Sequence, residues 1–215
     1  MSELRTSSAA ASASGSGSAD GLPKLFADAV ESMHSVSLRT EITLGTIRPP
    51  QRLAPFSHAV GLEIEHPELD ASSSMIPTHT DGDAFGRLIL LHDPQGEETW
   101  DGDLRLVAYI QADMEASVAG DPLLPEVAWE WLSEGLDTHD AGYNNLGGTV
   151  TATASSHFGD IGGPPKVYQI ELRASWTAAD ENLGPHVEAF AAVLANVAGL
   201  PPEGVATLGN GSSHA

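Results

Sequence analysis

The chain contains no cysteine. That removes disulfides, thiolate nucleophiles and Cys-ligated metals together, and it fits a reducing, cytoplasmic setting. Positive charge is scarce as well: 9 Lys and Arg stand against 30 Asp and Glu, a formal net charge of −21. A surface of that sign repels phosphate backbones and anionic lipid, which argues against direct binding to nucleic acid or membrane and favours a basic protein partner. The same acidity could serve solubility alone. No apolar run approaches the roughly 18 residues that a membrane-spanning helix needs. Nor does an apolar stretch follow Arg5, so a secretory leader is not expected.

Both ends are poor in what a core requires. Residues 7–19 are Ser, Ala and Gly throughout, and residues 201–215 include three Gly and two Pro. Such segments bury too little apolar surface to offset the entropy of ordering them. The expectation is a flexible tail over 1–19, a single domain over 20–200 and a second tail over 201–215.

Periodicity supplies the elements between the tails. Asp121 to Thr138 reads as a central helix. Leu124, Val127, Ala128, Trp131, Leu132 and Leu136 fall on one stripe, with Glu126, Glu130, Ser133, Glu134 and Asp137 opposite. Pro122 and Pro125 stand at its entrance, where a missing N–H costs little. A first helix is expected over Leu22 to His34, and a last one from Pro185 to the stop signal Gly199-Leu200-Pro201. Its stripe is Val187, Phe190, Ala191, Leu194, Val197 and Ala198. Strands are expected at His58 to Glu65, Phe85 to His92 and Leu104 to Ala112, and beyond the central helix at Thr149 to Ala154 and Tyr168 to Trp176. Glu41 to Ile47 reads as either a short strand or part of an extended crossing. The order α-β-β-β-α-β-β-α predicts an α+β fold: a mostly antiparallel sheet of about five strands with helices packed on one face.

Several segments in order, PQRLAPF from Pro50, GRLILLHDPQGEETW from Gly86, DPLLPEVAWEWL from Asp121, GGTVTATASSHFG from Gly147, ELRASW from Glu171 and AGLPP from Ala198, resemble an uncharacterised actinobacterial family, domain of unknown function number three thousand. The resemblance spans nearly the whole expected domain. It implies a cytoplasmic protein without assigned activity. It also implies a gene neighbourhood with a ribonuclease D-like enzyme, which makes a nucleic-acid-processing enzyme one expected partner. The element order also looks like that of type III secretion chaperones, acidic binding proteins that are usually dimers, though likeness of fold does not carry function with it.

Candidate chemistry is sparse. His92-Asp93 at a strand end could form an acid–base pair, but Asp-Pro-x-Gly is also an ordinary turn in which Asp bonds its own backbone. Ser155-Ser156-His157 lacks an elbow sequence and makes His157 a weak catalytic candidate. Asp81-Gly-Asp83 and Asp101-Gly-Asp103 lack the longer calcium-loop pattern, and the histidines show no zinc spacing, so no metal and no cofactor is expected. Gly159 to Lys166 lacks the Gly-Lys-Ser/Thr ending of a phosphate loop. Contact sites look more promising. Trp129 should lie at the edge of the helix–sheet contact, either packed under a wide sheet or, as a rim tryptophan, serving as an interface anchor. Ala189, Ala192 and Ala195 lie off the last helix's stripe, where small residues admit another helix or a second copy of the chain, though helix propensity alone explains them equally well. Arg105 and Arg173 on the open sheet face could hold an acidic ligand, or pair with Glu171 and Glu63 across strands. The expectation is therefore a non-enzymatic, chaperone-like interaction module, with an enzyme using His92, Asp93 or His157, or a small-molecule binder on the open face, as alternatives.

Overall fold

The computed structural model describes residues 21–64, 84–160 and 166–202. Its elements run α1 (Lys24–His34), β1 (Ile42–Thr46), β2 (Phe56–Ile64), β3 (Ala84–His92), β4 (Leu104–Asp113), α2 (Ala116–Ala119), α3 (Leu124–Thr138), β5 (Tyr143–Ser156), β6 (Lys166–Ala178) and α4 (Gly184–Val197). The strands form one sheet in the order β1-β2-β3-β4-β6-β5, every neighbouring pair antiparallel. The fold is α+β, with six strands rather than about five. The additional strand is β1, the segment that left strand and crossing both open. Its pairing with β2 gives four strands before α2, so the α-β-β-β-α-β-β-α order is not the one adopted. The acidic loop around Asp81 and the segment 161–165 lie outside the described residues, as do most of both expected tails.

Strict alternation builds the sheet. On β4, Leu104, Leu106, Ala108, Ile110 and Ala112 are all buried, while the intervening residues are half-buried. The register places Leu88, Ala108 and Ala174 side by side, and Gly86, Ile110 and Leu172 one step along. This face is covered by helices. α4 lies over β3 and β4, with the Phe190 ring so close above Gly86 that a Cβ built there would stand 2.7 Å from it. Glycine at 86 is therefore what lets the ring down onto the sheet. α3 packs beside α4 and over β5. α1 closes the other end, with Phe26 5.7 Å from Phe56 and 6.0 Å from His92 between ring centres.

α4 is buried on more sides than its predicted stripe, because the sheet lies below it and α3 beside it. His186, Ala189, Val193 and Ala195 join the stripe inside. α3 is rotated relative to the expected stripe: Leu124, Ala128, Leu132 and Leu136 are buried, Trp131 is half-buried, and Val127 is exposed. The buried line follows i, i+4 steps because β5 lies on the Trp129 flank and α4 on the Gly135 flank.

A tryptophan–histidine pair fixes the entry of α4. Trp176 is fully buried, and its indole N–H donates to Nδ1 of His186 at 3.1 Å. An acceptor nitrogen must be unprotonated, and burial accordingly holds the His186 imidazole down at about 4, with Asp180 opposing weakly. In the unfolded chain the group titrates near its ordinary 6.5. Between those values the unfolded state binds the extra proton, so stability rises with pH. The contribution is complete above the unfolded value and is lost as pH falls toward the folded one. His186→Gln removes the titration. The difference between wild-type and variant unfolding free energies should therefore shrink by up to about 3 kcal/mol between neutral pH and the acid end of this window. Urea titrations across that range measure it, and parallel wild-type and variant curves would contradict the assignment.

Candidate functional site

The residues that sequence reasoning offered for catalysis do not converge. His92 is buried at the end of β3, its Nδ1–H donating to the carbonyl of Asp103 at 2.9 Å, with Phe26 stacked on one side and Phe56 at 5.9 Å. The neighbouring Asp93 accepts the backbone N–H of Gln95 at 2.9 Å, the bond of a turn. His157 follows β5 at the opposite end of the sheet from His92: β5 finishes against Lys166 at the start of β6, while His92 lies beside Leu104, at the end that holds Thr177 of β6 and Asn144 of β5. Its Nδ1 is buried without a hydrogen-bond partner among the described residues. Two further histidines, neither singled out in the sequence, meet between α1 and β2: His34 and His58 approach at 2.9 Å between Nε2 atoms, their rings edge to face. Burial, then the neighbouring His34, lowers the His58 pKa. Among the described residues no three His, Cys, Asp or Glu side chains gather where one metal ion could be held.

The open sheet face carries a continuous polar row. The Tyr109 hydroxyl donates to Glu171 at 2.8 Å and lies 2.8 Å from Gln111 Oε1, and burial and then Glu171 raise its pKa. Arg173 lies over the Tyr109 ring at 5.6 Å and bonds Glu171 at 3.0 Å, two residues away on the same strand. The expected pairing of Arg173 with Glu171 is thus present, along the strand and not across it. Arg105 pairs with neither Glu63 nor Glu171. It donates to the Asn145 carbonyl, Thr177 Oγ1 and Ser175 Oγ, at 3.1, 3.0 and 2.7 Å. With only these neutral acceptors around it, burial lowers its pKa. Arg105 is half-buried and held within the face, whereas Arg173 is exposed and its ion pair with Glu171 lies at the surface.

The alanines of α4 do not form a free face. Ala189 and Ala195 are buried and Ala192 is half-buried. The helix they admit is the chain's own: the Ala189 carbonyl lies 3.5 Å from where a Cβ at Gly135 of α3 would be. Trp129 is at the rim, as its angle on the helix predicts. It is half-buried over β5, and a Cβ at Gly148 would stand 2.9 Å from its ring. Together Pro125, Glu126, Trp129, Glu130, Gly148 and Val150 line an open groove of about 450 Å³ beside the sheet's edge. A larger hollow of about 700 Å³ lies between α2, Trp131, the exit of α4 and the start of β6, with Tyr168 and Lys166 in its wall. Neither hollow holds any of the proposed catalytic histidines.

His92 therefore has a packing role that a ring of similar shape should fill. His92→Phe keeps the aromatic stack and loses one hydrogen bond, so it should cost about 1 kcal/mol in a denaturant midpoint and leave the fold intact. A loss of several times that amount would mean that the bond to the Asp103 carbonyl, and not the aromatic stack, is what His92 contributes, and would contradict the packing role.

No curated protein and no solved structure matches the chain. No helix among the described residues is long and apolar enough to cross a membrane. A family model does match, over residues 22–206, and covers every described element. The chain belongs to the family described as Protein of unknown function (DUF3000).

Proposed function

We propose that the protein is a cytoplasmic, non-enzymatic interaction module whose acidic surface engages a basic protein partner, in the manner of an adaptor or chaperone. The observation that carries this reading is the charge: −21 on a chain of 215 residues, with 30 acidic against 9 basic side chains. Among those few cations, Arg39, Arg105 and Arg173 are taken up by groups of the same chain. The field outside the molecule is then negative, which attracts and orients a positive partner before contact. The histidines favour the same reading, because His92 and His186 are used in packing. The absence of cysteine from the sequence fits a compartment where folding cannot rely on disulfides.

The test is recovery of a partner from native lysate on immobilised protein, with the partner identified by mass and then purified. Its association should slow steeply as salt rises from about 50 mM to about 500 mM, where the Debye length shrinks to a few ångström. A specific partner retained equally at both concentrations would contradict the electrostatic basis.

A further inference from the structure

The two edges of the sheet are unlike. β1 ends it with five residues and β5 ends it with fourteen. β5 pairs with β6 on one side, and no other described strand pairs with it. An edge strand offers a row of backbone N–H and C=O groups at the spacing of the next strand, and proteins commonly blunt such edges with lysine, proline or short length. β5 has none of these. Residues 141–156 contain no charged side chain and no proline. Cover is thin as well: from Thr151 to Ser156 the side chains are exposed on both faces, and Phe158 just beyond is 80% exposed.

The groove between α3 and β5 runs along this edge. Its charged groups, Glu126 and Glu130, are both carboxylates, and the indole of Trp129 forms part of its wall. α3 itself carries Glu126, Glu130, Glu134 and Asp137 and no Lys or Arg. A strand laid against β5 would turn every second side chain toward the helix side of the sheet. A Lys or Arg there would meet two carboxylates and an aromatic face, by ion pairing and by cation–π contact. A second copy of this chain would instead bring its own acidic α3 toward the first.

We propose that the β5 edge and the α3 groove receive an extended segment of a basic partner, added to the sheet as a seventh strand with alternate Lys or Arg side chains turned toward Glu126 and Glu130. This rests on the interaction-module reading and gives it a place and a binding mode: main-chain bonds supply affinity, and the groove selects the charged positions.

The probe is a fluorescent peptide of about ten residues alternating Lys and Thr, compared with a Lys–Pro peptide of equal length and charge that cannot form a strand ladder. Fluorescence anisotropy at low salt should show the Lys–Thr peptide binding about tenfold more tightly, and Glu126→Gln with Glu130→Gln should weaken it about fivefold or more. Amide shifts should concentrate on Thr149 to Ser156. Equal binding of both peptides without shifts on β5 would overturn this docking site while leaving the electrostatic module standing. No binding of either peptide would remove both. Concentration-dependent self-association in sedimentation, with shifts on β5, would assign the edge to a second copy and overturn the proposed occupant.

Discussion

The fold depends on α4 lying close against the middle of the sheet. Phe190 can descend only because position 86 on β3 has no side chain. α3 lies alongside α4 with Gly135 facing the Ala189 carbonyl, where a Cβ would stand in ordinary contact at 3.5 Å. Gly86 thus sets how near α4 comes to the sheet, and interiors packed at this density transmit a misplaced methyl group to their neighbours. α1 is tied to the entry of α4 through Ser32, whose Oγ accepts the Leu183 N–H at 2.8 Å and itself donates to the Glu181 carbonyl at 2.9 Å. Arg39, bonded to Glu41 at 2.8 Å and to the Pro201 carbonyl at 3.1 Å, ties the approach to β1 to the exit of α4. A narrow helix layer results. It covers β3, β4 and β6 well and leaves much of β5 outside.

Much of this was legible from periodicity. The alternation in Leu104 to Ala112 translated directly into the most regular strand, and the stripe from Val187 to Ala198 into the most buried helix. What could not be read was which side of an amphipathic element meets which neighbour. Val127 and Leu124 are equally apolar in sequence, but only Leu124 is buried, since α3 is wedged between α4 and β5 and not laid flat on a sheet. The same limit applies to the alanines of α4. Their small size signals close approach, and nothing in the sequence distinguishes a helix of the same chain from one of another copy. Long-range pairing was equally hidden. β6 inserts between β4 and β5, which makes β5 an edge, and no local pattern in Tyr143–Ser156 announces that position. The lack of charge in that stretch was a signal available from the start, and its meaning needed the topology.

The histidines show how residue type misleads without surroundings. His92 at a strand end invited acid–base chemistry, yet it closes an aromatic cluster. His186, which no motif marks, has its titration lowered to about 4 by burial and accepts the indole N–H of a fully buried tryptophan. Arg105 and Arg173 invited an anionic ligand, yet both are used within the sheet face. The polar groups with a role still to fill are the outward main chain of β5 and the exposed carboxylates Glu126 and Glu130 on α3.

The central claim is that this molecule acts through an open strand edge and an acidic flank rather than through a reactive cleft. Amide hydrogen exchange on the free protein at low concentration addresses it most directly. The account predicts a two-residue alternation of fast and slow amides from Thr149 to Ser156, the outward set exchanging as exposed backbone does while Leu106 to Ile110 in β4 stay protected. Uniform protection of β5, equal to that of β4, would mean that the edge is already occupied and would contradict the account.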